Sequence, residues 1–302
     1  MTAEIAVVVG NHQGERFLRD CLESVSVQTR KPSEVIVVDG GSTHRSVEIA
    51  EELKARVLRA ENRGLGHLYN VGARAAASEF VLLSNNDVAY EADCLAELAA
   101  ALDADEQRFA ADPTQLDWDG ANVVHARTTL TRGKLWHEYL PGLHLDDNMP
   151  ADAIVPTVSA HGAAMLVRRG RLLELGGFDE TFFLEWEDLD LCWRAWLRGW
   201  PSVYVPHARL RHRVGGVTTE GVRARRSVSS HHNLLRFALK CLPPAAAARV
   251  VAGELLRLPR HPRAISIALL QVVRELPAIA CARRQIRPQR ALYRWLLRGQ
   301  PT

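Results

Sequence analysis

Cysteine is scarce in this chain and follows no pairing pattern. The five residues (Cys21, Cys94, Cys192, Cys241 and Cys281) are odd in number, widely spaced and free of any C-x-x-C pair. That argues against a disulfide framework or a cysteine zinc site and for a reducing compartment. The glycine loops of common nucleotide enzymes are also missing. Gly10 has no second glycine in G-x-G-x-x-G spacing, and Gly64-Leu65-Gly66 meets Tyr69 where a third glycine belongs. Neither G-x-x-x-x-G-K-[ST] nor G-x-S-x-G occurs, so hydride transfer, P-loop chemistry and serine hydrolysis lose most of their support. Ile5-Ala6-Val7-Val8-Val9 follows an acidic Glu4 without a basic or long apolar stretch before it, and no signal peptide is expected. Acids are nearly absent from residues 221–302, where 16 Lys+Arg face two Asp+Glu, a balance of +14. Residues 1–220 hold 22 against 33, a balance of −11. The net charge of +3 therefore conceals an acidic body and a basic tail.

What is present has ordinary globular proportions, 47% hydrophobic and 24% charged over 302 residues, enough for a large core. The first hundred residues alternate short β-branched runs with amphipathic stretches, the signature of a parallel α/β sheet. Strands are predicted at Ile5–Val9, Val35–Val38, Arg56–Leu58 and Phe80–Leu83, with further ones at Ala163–Val167 and Val203–Val205. Phe17, Leu18, Cys21, Leu22 and Val25 share one helical face, and Val47, Ala50 and Leu53 another. From about Asp103 to Ile154 the chain is polar, acidic and poorly periodic, with Pro113, Pro141 and Pro150. It reads as an irregular insertion or loop system over the sheet.

Ligands of open α/β sheets bind beyond the carboxyl ends of the strands. Polar residues gather at those ends here: Gly10-Asn11-His12, Asp39-Gly40-Gly41-Ser42-Thr43 and Ser84-Asn85-Asn86-Asp87. Each alone is compatible with turn chemistry, whereas three together point to a shared site. Four carboxylates (Glu185, Glu187, Asp188 and Asp190) crowd the start of a predicted helix whose apolar face is Leu189, Cys192, Trp193, Trp196 and Leu197. Gly199 and Pro201 end it. A helix dipole favours one or two acids. Four beside Trp186, Phe182 and Phe183 suggest a carboxylate tuned by an apolar wall as a general base.

Taken in order, these pieces resemble the family 2 glycosyltransferases of GT-A fold. The stretch carrying the resemblance runs over about residues 4–217. It comprises the first strand to Asn11, Glu34–Thr43, Glu61-Asn62-Arg63-Gly64-Leu65-Gly66 with Asn70-Val71-Gly72, and Leu82–Asp87. It continues through Gly162–Arg169, Gly176-Gly177-Phe178-Asp179-Glu180, Glu187-Asp188-Leu189-Asp190 and Arg211-His212-Arg213. The resemblance implies a mixed, mainly parallel sheet flanked by helices, with a catalytic domain over 1–220 and a basic helical region over 221–302. It implies inverting, metal-dependent transfer from a nucleotide-sugar, UDP- or dTDP-linked, to a glycan or lipid-linked acceptor. Asp87 matches the last position of a DxD-like motif and, with His212, is the implied seat for Mg²⁺ or Mn²⁺. A single carboxylate suffices for such an ion when substrate phosphates complete its shell. Asp188 is the implied base, with Glu187 beside it. Asn11, Asp39, Arg63, Asn70, Asn85 and Asn86 fall on the nucleotide-sugar side, and Trp186 and His161 on the acceptor side. The Asn-Asn-Asp and Gly-Gly-Phe-Asp pairing is most similar to bacterial rhamnosyltransferases of surface-glycan assembly.

The tail reads as amphipathic helix, and its longest apolar run, about Ala264–Val273, is too short to span a bilayer. Docking on an anionic membrane surface, packing against the acidic body and nucleic-acid binding all remain open. Few aromatics (Phe237, Tyr293, Trp295) and no recognisable motif speak against nucleic acid. A cytoplasmic, membrane-peripheral location is expected from the family. Two other classes compete. A nucleotidyltransferase needs a glycine-rich triphosphate loop with a lysine, which Asn11–Glu15 does not supply. An inactive glycan-binding or membrane-surface scaffold predicts loss of Asp87 or Asp188, and both are present.

Overall fold

The computed structural model describes residues 3–128, 152–213 and 220–286. Strand β1 (Ile5–Asn11) is buried along its whole length. Ile5, Val7 and Val9 enter one apolar cluster and Ala6 and Val8 another on the opposite face, the alternation a pleated strand imposes. A strand covered on both faces belongs inside a parallel sheet. Accordingly β1 lies between β2 (Glu34–Asp39) and β4 (Phe80–Asn85), parallel to both, with β3 (Arg56–Arg59) beyond β2. Helix α1 (Leu18–Ser26) buries Leu18, Cys21, Leu22 and Val25, the face its periodicity predicts. Helices α2 (Ser46–Glu52) and α3 (Leu65–Ala75) complete the first half.

Beyond β4 the sheet becomes mixed, in the order β3-β2-β1-β4-β9-β6-β10-β5. Strand β9 (Ala164–Arg168) runs antiparallel to both β4 and β6 (Ala110–Leu116). Strand β10 (Ser202–His212) is parallel to β6 and pairs antiparallel with the short β5 (Val88–Tyr90). Two small strands attach outside this path, β7 (Val123–His125) on β6 and β8 (Val155–Thr157) on β10. Helices α4 (Cys94–Asp103), α5 (Arg169–Glu174) and α6 (Glu187–Leu197) flank this half.

Strand β6 corrects the sequence reading of Asp103–Ile154 as irregular. Its Asp112-Pro113-Thr114-Gln115 core lacks apolar alternation, yet it lies deep in the sheet. Pro113 cannot donate to a ladder, and it sits where the β10 register shifts between Val205 and Arg209. Pro141 and Pro150 lie outside the described residues.

The basic region forms α7 (Glu220–Cys241), α8 (Pro244–Arg257) and α9 (Pro262–Ile286). Leu234, Phe237, Ala238 and Cys241 of α7 share an apolar cluster with Trp186, Leu189, Trp193 and Trp196. Helix α9 rests on α7 through Ala268, Val272 and Ile279. The ten-residue run judged too short to span a bilayer lies within this 25-residue helix, which is long and apolar enough to cross one by length and composition.

Candidate active site

The ends of β1, β2 and β4 are in register, Asn11 beside Asp39 and Gly10 beside Asn85. Three side chains form a relay across them. Asn86 Nδ2 donates to Asn11 Oδ1 at 2.7 Å, and Asn11 Nδ2 donates to Asp39 Oδ1, also at 2.7 Å. Asp39 accepts further hydrogen bonds from Ser42 Oγ (2.6 Å) and from the amides of Gly41 (3.1 Å) and Ser42 (2.9 Å). The carboxylate plane is thereby fixed at the mouth of the sheet. Arg63, half-exposed before α3, pairs with Glu180 at 3.2 Å and reaches His67 at 2.8 Å.

Asp87 follows β4, and β5 then turns back along β10 so that Val88 pairs with His212. This pairing brings His212 Nε2 to 3.5 Å from Asp87 Oδ1. Asp87 Oδ1 is buried without a hydrogen-bond partner in the chain. On the far side of the imidazole, His212 Nδ1 donates to Gln115 Oε1 at 2.9 Å, which leaves Nε2 as the bare nitrogen toward Asp87. An orphaned carboxylate oxygen facing an oriented imidazole fits a divalent cation. Among the described residues no cluster of three His, Cys, Asp or Glu could hold a metal by itself. The pair thus suits an ion whose shell is finished by phosphate and water.

The other wall is the start of α6. Asp188 Oδ2 accepts from the Gly162 amide at 2.9 Å and Oδ1 from the Leu189 amide at 2.7 Å. Gly162 backs both acids: a Cβ there would lie 3.5 Å from Asp188 Oδ2 and 3.6 Å from Glu187 Oε1. Glu187 is buried and its Oε2 has no hydrogen-bond partner. Burial, and then the neighbouring Asp188, push its acid well above the usual carboxylate range. His161 stands within electrostatic reach of both Asp87 and Asp188. Its ring stacks on His125 at 4.4 Å and lies edge-on to His212 at 6.3 Å. Burial and then His125 push it down to about 3, so this imidazole is neutral. Asp87 beside His212 and the amide-held Asp188 thus both lie within electrostatic reach of the neutral His161 imidazole.

Two sequence expectations are corrected. Trp186 is not on the acceptor side; it is 9% exposed and its ring packs 5.5 Å from Phe237 in the α6–α7 core. Its backbone is left-handed (φ 75°). Asn70 lies behind the site, with Nδ2 donating to Phe178 O (3.0 Å) and Glu180 Oε1 (3.1 Å) and Oδ1 accepting from Phe178 N (2.8 Å). It straps the Gly176-Gly177-Phe178 loop to α3 and has no polar atom to spare.

Sequence reasoning missed Tyr69, whose hydroxyl lies 3.0 Å from Asn85 Oδ1 and 2.8 Å from Gly162 O. It bridges the end of β4 to the residue whose amide holds Asp188. Asp112 and His125 were missed as well. They face each other at 3.0 Å beneath His161, whose amide donates to Asp112 at 3.0 Å. Burial pushes Asp112 up and His125 down to about 4. Tyr69 stands three residues after Gly66, where a third glycine would belong, the one signal that pointed to it.

A family model described as "Glycosyl transferase family 2" matches residues 6–166. The N-acetylglucosaminyl-diphospho-decaprenol L-rhamnosyltransferase of Mycobacterium tuberculosis is 29% identical over 237 residues, 70% of this chain and 76% of that protein. Rhamnosyltransferase WbbL of Escherichia coli is 23% identical over 216 residues, 67% of this chain and 80% of that protein. Among solved structures, GalNAc-T7 with UDP, GalNAc and Mn²⁺ superposes with a TM-score of 0.63 at 18% identity. That likeness, over 80% of this chain and 49% of the other, shows a shared GT-A fold. With more than half of its length matched by the family model and its sheet in GT-A form, the chain belongs to glycosyl transferase family 2 and is a glycosyltransferase.

Proposed function

We propose that this glycosyltransferase is metal-dependent and inverting, moving a sugar from a UDP- or dTDP-linked donor to a hydroxyl of a glycan or lipid-linked acceptor. The observation that carries this reading is the pairing of an orphaned, buried Asp87 oxygen and His212 with an amide-held Asp188 across one cleft. Asp87 and His212 would hold Mg²⁺ or Mn²⁺, which when bound neutralises charge on the departing diphosphate. The relay of Asn86, Asn11 and Asp39, with Asn85 and Arg63, receives the nucleotide side. Asp188 takes the proton from the acceptor hydroxyl as its oxygen bonds to the anomeric carbon. The bond to the diphosphate breaks on the opposite face, so the configuration inverts. Glu187, protonated near neutral pH, donates a hydrogen bond toward the acceptor, and His161 shapes the space between the sugar and Asp188. The names of the two relatives guide the choice of substrates to assay, rhamnose as the donor sugar, taken on the proposed dTDP carrier, and, from the first name, an N-acetylglucosaminyl-diphospho-decaprenol acceptor.

The exposed Ile267, Leu270, Val273 and Leu276 of α9 support a peripheral position on a membrane surface. The test of the catalytic reading compares wild type, Asp87→Ala and Asp188→Asn for metal-dependent nucleotide binding and for turnover. Loss of nucleotide affinity in the first and of turnover alone in the second is expected. A folded wild type that binds neither UDP nor dTDP with either metal would favour a glycan-binding scaffold.

A further inference from the structure

Helix α7 presents one buried stripe at i, i+3, i+4, i+7 and i+8, namely Asn233, Arg236, Phe237, Lys240 and Cys241. Every member meets the segment that carries Glu187 and Asp188. Lys240 Nζ lies 2.6 Å from Asp179 and 2.7 Å from Asp190, Arg236 lies 3.1 Å from Asp179, and Cys241 Sγ donates to Asp190 at 3.5 Å. Phe237 packs between Trp186 and Trp193. Asn233 does something more specific. Its Nδ2 donates both hydrogens to backbone carbonyls, Leu184 O at 2.8 Å and Glu185 O at 2.9 Å. These carbonyls lie on either side of Glu185, which with Trp186 forms two consecutive non-glycine residues in the left-handed region (φ 67° and 75°). That conformation is disfavoured for side-chain-bearing residues and persists only where the surroundings enforce it.

The left-handed pair is the turn that delivers Glu187 and Asp188 as the first two residues of α6, facing Gly162. Asn233 is 1% exposed, and its Oδ1 is held by His232 Nδ1 at 2.8 Å, so the amide cannot rotate away. We propose that Asn233 is a positioning residue for Asp188: its two-pronged grip on Leu184 and Glu185 holds the strained turn that aims the base. This rests on the reading of Asp188 as the base. It makes the helical region after residue 220 a working part of the active site, independently of any membrane role.

The experiment compares Asn233→Ala and Asn233→Ser with wild type for dTDP release from dTDP-rhamnose, dTDP affinity, and amide exchange across residues 184–190. Asn233→Ala is expected to lower kcat about 10- to 100-fold, since a displaced catalytic group loses rate steeply. Nucleotide affinity should stay within about twofold, because the strand-end relay is untouched. Exchange at 184–190 should accelerate while β1 and β4 keep their protection. Serine, keeping one donor, should fall between. A folded variant with wild-type kcat and unchanged exchange at 184–190 overturns the proposal. So does a parallel loss of turnover, nucleotide affinity and protection throughout, the mark of a merely structural residue. If alanine does not fold, wild-type kcat in the serine variant is the overturning result. Asp188→Asn serves as the control: inactivity there with full activity in Asn233→Ala removes the positioning role alone, whereas full activity in both removes the base assignment beneath it.

Discussion

Glu187 and Asp188 are neighbours with opposite surroundings. Two amides face Asp188, whereas Glu187 Oε2 is buried without a donor. Burial first, and then the Asp188 charge, push Glu187 from 4.5 to about 8. The folded chain therefore keeps a proton that the unfolded chain loses above about 4.5, and raising the pH destabilises the fold. The stability from this group is full below that value and declines by at most about 1.4 kcal/mol per pH unit until about 8. Glu187→Gln, which mimics the protonated acid, should melt above wild type by a margin that widens between pH 5 and 8 and then levels. A margin constant across that range in thermal melts would contradict the assignment. The placement of Asp87, Asp188 and His212 at strand and helix ends was legible in their motifs, while their chemical roles there are the proposal. The placement of Trp186 and Asn70 was not, because loop backbone decides where they point. The positive φ of Glu185 and Trp186, both bearing side chains, has no signature in composition.

At the level of elements, two glycine-rich motifs far apart in sequence are packing complements. A Cβ on Gly66 would meet Phe178 Cβ at 2.9 Å, and one on Gly177 (φ +77°) would meet Asn70 Oδ1 at 2.2 Å. Gly177→Ala combines strain with a clash and should destabilise the protein by about 2–3 kcal/mol in urea unfolding. Gly170 in α5 has open space around its Cβ position, so Gly170→Ala should be neutral or stabilise by up to about 1 kcal/mol. Equal effects of the two would show that the α3–loop contact is not tight. The parallel first half of the sheet was readable because its strands are apolar runs bounded by turn residues. Strand β6 was hidden by its buried polar residues. Asp112 supports His161 and Gln115 orients His212, and both are polar where a strand pattern expects Val or Ile.

Over the whole molecule, the charge split resolves into two directions of the helical region. The two acids of residues 221–302 turn inward, Glu254 onto His231 and Arg257 and Glu275 onto His232 and Arg236. Outward remain apolar side chains, Leu256 at 76% and Leu270 at 61% exposure, with Arg263, Arg274 and Arg284 exposed along α9. Such a face suits an anionic bilayer. Wild type should co-sediment with phosphatidylglycerol vesicles and poorly with phosphatidylcholine vesicles. Leu270→Asp should weaken that binding at least about threefold without changing nucleotide affinity. Equal binding to both vesicle types, or none to either, would leave the face without this role. The sequence showed that the tail was basic and amphipathic. That α7 grips α6 while α9 faces outward depends on packing no local pattern reveals. The most direct test of the catalytic account remains Asp188→Asn, assayed for sugar transfer and for metal-dependent nucleotide affinity in one preparation. Transfer should fall at least about 100-fold, the scale of a lost general base, with affinity within about twofold of wild type. Transfer at the wild-type rate would show that the proton goes elsewhere.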